Sequence, residues 1–288
     1  MRVLVLGAGG QVGRAVAQAA PAGEEVLTRT RAELDIGDEA AVTRLLSETP
    51  VDWIVNGAAY TAVERAESEP ALAQAVNGTA VGVRARAAAG AGARLLHLST
   101  DFVFDGRSNR AYRPDDATNP LSVYGATKLA GEQELLVQGP QGSVLRTAWV
   151  YDATGRNFVL TMLRLMRERP EVRVVCDQIG APSWATGIAR VVCGLIAADA
   201  PAGIYHWTDA GVASWYDFAV AIQEEALARG LLTRAVPIVP IPTSAYPTPA
   251  ARPHFSVLDS QATRTLLGCP AQHWRHNLRT MLDELRTA

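Results

Sequence analysis

Apolar positions fall into two textures that alternate along the chain. Short runs rich in valine, leucine and isoleucine, such as Val3-Leu-Val-Leu6 and Trp53-Ile-Val-Asn56, are followed by longer alanine-rich stretches of helical period. The runs predict strands at 2–6, 25–28, 53–56, 94–99, 143–146, 172–175 and 203–206. The stretches between them predict helices at 11–20, 39–47, 69–89, 123–137, 158–168, 185–198 and 215–229. Strands separated by helices of about 10–20 residues imply βαβ units and a parallel sheet. Right-handed crossovers then give an α/β fold: a doubly wound, Rossmann-like parallel sheet, with ligands expected beyond the carboxyl ends of its strands.

The texture changes near residue 231. The uncharged run from Ala235 to Ala251 holds five prolines, and a helical tail is predicted at 274–287. The reading is a dinucleotide-binding domain over 1–150 and a mixed region over 151–288. That second region partly completes the sheet and partly forms a smaller C-terminal substrate-binding lobe, notably 235–288. No internal repeat or low-complexity linker is visible.

Composition narrows the classes. At 288 residues the chain is long enough to bury roughly 75% of its unfolded surface. With 48% hydrophobic and 19% charged residues, intrinsic disorder is excluded. A net charge of −2 gives no field to attract phosphate backbones, so no nucleic-acid partner is expected. Cys176, Cys193 and Cys269 are scattered and odd in number, which suits a reducing compartment. No leader-like segment opens the chain, and the proline-broken uncharged run offers no membrane span. The expectation is a cytoplasmic protein without a membrane partner.

The string Gly7-Ala-Gly-Gly10-Gln-Val-Gly13 runs from the first strand into the first helix. Gly7 suits a tight turn, Gly10 lets backbone approach a pyrophosphate at a helix N-terminus, and Gly13 allows close helix–strand packing. The spacing is G-x-x-G-x-x-G; its context, after a strand and before a helix, points to dinucleotide binding. The second strand ends in Thr28-Arg29-Thr30-Arg31, with no acid until Glu33. Guanidinium groups there suit a 2′-phosphate, so NADPH is the expected cofactor, with NADH as the alternative. Asp35 and Ile36 follow as adenine contacts. Gly57-Ala58-Ala59-Tyr60 closes the third strand with small residues past which a cofactor can run.

Tyr124 and Lys128 stand four apart at the start of a predicted helix and so share a face. A nearby ammonium favours a phenolate, which would lower the phenol pKa toward neutrality. Tyrosine–lysine pairs at this spacing are usually surface pairs. Here, however, 26 of the 27 basic residues are arginine and Lys128 is the single lysine. A compact ammonium reaches ribose hydroxyls and a phenol in a way a planar fork does not. Ser99, Thr100 and Asp101 end the fourth strand, where Thr100 can donate to a substrate carbonyl. His97, inside that strand, reads as a packed core residue.

The glycine turn, Ser99-Thr100-Asp101 and Tyr124-x-x-x-Lys128 resemble the extended short-chain dehydrogenase/reductases. Five longer strings resemble, within that superfamily, the dTDP-4-dehydrorhamnose reductase family over essentially the whole chain. They begin at Thr61 (TAVERAESEP), Tyr124 (YGATKLAGE), Arg146 (RTAWVY), Asp177 (DQIGAP) and Ser244 (SAYPTPAARP). The resemblance implies reduction of the C4 ketone of dTDP-4-dehydro-β-L-rhamnose by NAD(P)H. It implies Tyr124 as proton donor, Lys128 as its pKa-lowering and ribose-holding partner, and Thr100 on the carbonyl oxygen, where oxyanion charge develops. It also implies that Gly10, Gln11, Val12, Asp35, Ile36, Ala59, Tyr60 and Thr61 line the cofactor. Thr100, Asp101 and Trp149 would face the deoxysugar, and Arg252 the diphosphate.

Some family members bridge a dimer with Mg²⁺ through acids after the third glycine and after the Gly-Ala-Pro string. Here those stretches read Arg14-Ala15 and Trp184-Ala-Thr-Gly187. No metal is expected, and a homodimer, if formed, would not be Mg-bridged. A cluster of Cys269, His273 and His276 has loose spacing for a metal. Two other functions compete. A nucleotide-sugar epimerase or dehydratase is one; a dehydratase would carry an acid where this chain has Phe102. A catalytically silent NADP-binding regulatory subunit is the other, against which the Tyr124–Lys128 pair speaks.

Overall fold

The computed structural model describes residues 1–21, 23–138, 141–270 and 272–287. Its centre is a parallel sheet of six strands: β1 (Arg2–Leu6), β2 (Glu25–Arg29), β3 (Trp53–Asn56), β4 (Arg94–Thr100), β5 (Ser143–Thr147) and β6 (Gly203–His206). The strand order is β6-β5-β4-β3-β1-β2. Alternation along each strand sends side chains to opposite faces. Val3, Val5, Trp53, Val55, Leu96 and Leu98 join a core under helices α1 (Gln11–Ala19) and, further along the chain, Ala185–Ala197. Leu4, Leu6, Ile54 and Leu95 join the core on the other face, under α2 (Glu39–Glu48), α3 (Ala80–Gly90) and Leu135 of α4 (Val123–Gln138). Burial on both faces explains why these strands are apolar without a break.

A third core lies beside the sheet. It gathers Val159, Met162 and Met166 of α5 (Phe158–Glu168), Phe218 and Ile222 of Trp215–Ala228, and Leu278, Met281 and Leu282 of Trp274–Thr287. The strand expected at 172–175 forms, but not in the main sheet. Val172–Val175 pairs in parallel with Ile238–Ile241, inside the proline-rich stretch that reads as loop. Pro240 is tolerated there because a two-stranded ribbon is all edge, and a missing N–H leaves no ladder bond broken.

The single helix expected over 69–89 is interrupted. Pro70–Gln74 passes through one π-turn, Ala75–Thr79, before α3 begins. The π-turn carries Asn77, which is fully buried and hydrogen-bonded to backbone at Tyr60 and to the Thr127 hydroxyl of α4. One extra residue in the turn re-aims a side chain that regular helix would direct elsewhere.

Candidate active site

The glycine turn has the geometry its residues imply. Gly7 has φ +76°, and a Cβ on it would lie 2.5 Å from the Ala58 nitrogen; a Cβ on Gly13 would lie 2.4 Å from the Gly7 oxygen. Both closures need glycine. Gly10 precedes α1 with no side-chain cap and no acid in the first turn, and Gly9 and Gly10 are exposed. The first N–H groups of α1 are therefore left for an anion, and a dinucleotide pyrophosphate fits that cradle. Gln11 at its mouth accepts from Asn157 Nδ2 at 3.0 Å, and Val12 packs toward the sheet.

Beyond β2, Arg29 donates to the Thr28 carbonyl at 2.8 Å, while its own carbonyl accepts from Gly7 and Ala8. Arg31 is exposed. The first acid after the strand, Glu33, turns back to accept from the Thr30 N–H at 2.7 Å and hydroxyl at 2.8 Å. Those bonds hold its carboxyl below the usual range. Asp35 accepts from the Gly37 N–H at 2.9 Å, and the Ile36 carbonyl accepts from Arg84 at 3.3 Å. Ala58, Ala59 and Tyr60 are half-buried and Thr61 is exposed. The Tyr60 N–H donates to Asn77 Oδ1 at 2.8 Å, and its phenol bonds Glu69.

The C-terminal end of β4 brings Thr100 and Asp101 against the start of α4. The Tyr124 phenol lies beside the Thr100 hydroxyl, which donates to Asp101 Oδ1 at 3.0 Å. Phe102 stands edge-on to Tyr124, 5.6 Å between centroids. Ser99 is buried with its hydroxyl on Glu132, so only its backbone is left to face a cofactor.

Lys128 is where the structure departs from expectation. Its Nζ donates to the Leu98 carbonyl at 2.6 Å and lies 3.1 Å from His97 Nε2. The expected depression of the Tyr124 pKa is absent. Burial pushes the phenol up to about 12, the Thr100 hydroxyl opposing this and the Asp101 charge adding to it. Burial likewise pushes Lys128 down to about 7, with Glu132 opposing and Arg84 assisting. A desolvated amine engaged by a backbone carbonyl and an imidazole does not act as the phenol's counter-charge.

Of the residues expected to face the sugar, Asp101 is buried, and desolvation raises its carboxyl to about 6. Trp149 adopts φ 48° and stacks on Trp215, 3.5 Å between centroids and 4° from parallel. Arg252 is ion-paired with Glu64, whose other oxygen accepts from the Ala250 N–H at 3.0 Å, and its guanidinium lies 5.9 Å from the Phe102 ring. The proline-rich segment is thereby tied to the mouth of the site.

Sequence reasoning missed four supporting residues. Glu132, a further turn along the Tyr124–Lys128 face, forms a buried bidentate pair with Arg146 of β5 (2.7 Å at Nη2). Its four-residue spacing from Lys128 was the available signal. Asn77 and Trp215 carried none, and His97 looked like core because it is core by burial. Among the described residues no group of three His, Cys, Asp or Glu able to hold a metal occurs, so Cys269, His273 and His276 do not assemble one.

The profile described as "RmlD substrate binding domain" matches residues 1–287. The chain belongs to the dTDP-4-dehydrorhamnose reductase family, and so to the NAD(P)-dependent oxidoreductases. It is 43% identical over 286 residues to the dTDP-4-dehydrorhamnose reductase of Burkholderia thailandensis, covering 96% of each chain. It is 41% identical over 296 residues to that of Escherichia coli K12, covering 100% of this chain and 99% of the other. The crystal structure of the Bacillus anthracis enzyme in complex with NADP superposes with a TM-score of 0.93 at 32% identity, covering 98% of this chain and 99% of that one. The family's fold, a six-stranded Rossmann-like sheet with a smaller C-terminal region, is the fold of this chain. No helix among the described residues is long and apolar enough to cross a membrane.

Proposed function

We propose that this protein reduces the C4 ketone of dTDP-4-dehydro-β-L-rhamnose to dTDP-β-L-rhamnose in the cytoplasm, with NADPH as hydride donor. One observation carries the reading: Tyr124, Thr100 and Asp101 converge at the carboxyl end of β4, beside an uncapped glycine turn. The cofactor supplies the hydride; everything else is this chain's own work.

The Tyr124 phenol is protonated at neutral pH and therefore loaded as a general acid. Addition of hydride turns the C4 carbonyl into an alkoxide, which is far more basic than a phenolate, so transfer of the Tyr124 proton runs downhill. Thr100 lies beside the phenol and can donate to the same oxygen as its charge grows. Lys128, once protonated and turned toward a ribose, would add a fixed positive charge beneath the phenol. Residues Gly7, Gly10, Gln11, Val12, Gly13, Asp35, Ile36, Ala58, Ala59, Tyr60, Thr61 and Ser99 would line the dinucleotide. Arg29 and Arg31 favour the 2′-phosphate form, because Glu33 is occupied at Thr30 and does not offer a carboxylate to a ribose hydroxyl. Trp149 would face the deoxysugar. Arg252 would meet the diphosphate by exchanging Glu64 for phosphate oxygens.

The test is loss of NADPH absorbance when the purified protein meets the dTDP-linked 4-keto sugar, with deuterium from labelled NADPH appearing at C4 of the product. Interconversion of nucleotide sugars with no net NADPH loss would instead indicate an epimerase or dehydratase. NADPH binding without any turnover would indicate a regulatory subunit.

A further inference from the structure

Three buried side chains, Asn56, His97 and Lys128, form a chain of close polar contacts that runs from the Ala58 N–H in the expected cofactor loop to the only lysine in the protein. Asn56 and His97 face each other in register on β3 and β4, with Asn56 Nδ2 2.7 Å from His97 Nδ1. The Ala58 N–H, 3.3 Å from Asn56 Oδ1, orients that amide so that its NH₂ faces the imidazole. Nδ1 therefore accepts. His97 is fully buried, and desolvation, with the Arg84 charge assisting, keeps it neutral. A neutral imidazole whose Nδ1 accepts carries its proton on Nε2. That Nε2–H points at Lys128 Nζ, 3.1 Å away.

An ammonium has three donors and no acceptor, whereas an amine has a lone pair to receive the Nε2–H. The remaining surroundings agree. The Leu98 carbonyl takes one lysine N–H. Glu132, one turn along α4, is committed to Arg146 and Ser99. Tyr124, one turn the other way, is a phenol that burial keeps neutral. From α3 comes a positive charge, Arg84, fully buried with Nε and Nη2 unpartnered among the described residues. Among the described residues no carboxylate touches Nζ.

We propose that His97 is a positioning residue: through its Nε2–H it holds Lys128 as an amine, and the lysine takes a proton from solvent when the dinucleotide engages it. The second half rests on the proposed NADPH site; the first half does not. The arrangement avoids burying an unpaired charge, and it places the ammonium only when ribose oxygens are present to receive it. It also couples affinity to pH. Where the free lysine is uncharged, each unit rise in pH weakens NADPH binding by up to tenfold, since one proton is bound with it.

The single lysine makes the test direct. Labelling with lysine carrying ¹³C at Cε yields one side-chain resonance from an untagged chain. The expected result for free protein is titration near neutrality, with the amine shift at pH 8.5, and movement to the ammonium shift on adding NADPH. An ammonium shift at pH 8.5 in the free protein overturns the proposal. An amine shift that persists while NADPH fluorescence shows a saturated site overturns the coupled uptake. No fluorescence change on adding NADPH counts against the cofactor reading and leaves the amine assignment to stand on the free-protein titration. His97→Gln, whose amide oxygen can accept from an ammonium, should raise the lysine midpoint by a unit or more. Asn56→Asp should do the same by accepting from Nδ1–H and freeing Nε2 to accept. A midpoint unmoved in these folded variants removes His97 from the role; a merely structural histidine would not move it.

Discussion

The indoles of Trp149 and Trp215 lie face to face, 3.5 Å between centroids, and the backbone of Trp149 is left-handed at φ 48°. Gly180 also approaches the Trp149 ring; a Cβ there would come within 2.5 Å of it. A non-glycine residue in this region costs of order 1–3 kcal/mol and persists only where its surroundings impose it. Ser214 and Asp217 form a capping box that anchors the start of the helix bearing Trp215. Trp215→Ala should raise KM for the nucleotide sugar about tenfold or more, with KM for NADPH little changed. Trp215→Phe should recover part of that loss, since aromatic pairs contribute about 0.5–1.5 kcal/mol beyond burial. Steady-state kinetics with each substrate varied in turn checks this.

Removing the phenol oxygen addresses the chemistry itself. Tyr124→Phe should lower kcat by ~10²-fold or more, the usual worth of a general acid, while NADPH binding measured by fluorescence stays near wild type. Wild-type turnover would take Tyr124 out of the mechanism.

Asp101 links stability to pH. Burial raises its carboxyl from 3.8 to about 6, so between those values the native state binds more protons than the unfolded chain. The contribution of this group to stability is complete below about pH 4 and is lost as pH rises through 6. Two units correspond to about 3 kcal/mol at most. Asp101→Asn should therefore gain stability relative to wild type as pH rises from 4 to 7, while losing activity. Urea denaturation of both proteins across that range is the measurement; a difference independent of pH would contradict it.

Glu132 and Arg146 are both almost completely buried. Removing one partner strands the other, which costs about 3–5 kcal/mol. Glu132→Ala should thus be among the most damaging substitutions outside the reacting groups, read as a large fall in denaturation midpoint. Glu132→Gln should be milder, because it keeps the side-chain shape and one acceptor oxygen, though its NH₂ cannot accept from Arg146.

Cofactor choice tests the end of β2. Arg29→Ala with Arg31→Ala should weaken NADPH about tenfold or more and leave NADH within about twofold, since a guanidinium–phosphate contact is charge-assisted and has no counterpart in NADH. Equal losses for both coenzymes would assign the arginines to something other than the 2′-phosphate.

Much of this was legible in the order of residues. Strand periods at 2–6, 53–56 and 94–100 follow from burial on both faces, and the glycine turn follows from what φ +76° and a 2.4 Å approach permit. The pairing of Val172–Val175 with Ile238–Ile241 was not legible, because a four-residue run containing proline carries no strand signature. Neither was the π-turn, whose purpose appears only when Asn77 meets Tyr60 and Thr127 across 17 and 50 residues of chain.

The same division runs through the site. Local sequence placed Tyr124 and Lys128 on one helical face and Thr100 at a strand end, since those relations depend on spacing within a few residues. Where the protons reside was decided only by packing. The lysine's partners are a carbonyl and an imidazole about thirty residues away, and its charge is governed by burial. A linear sequence encodes periodicity; desolvation and hydrogen-bond direction are properties of the closed interior.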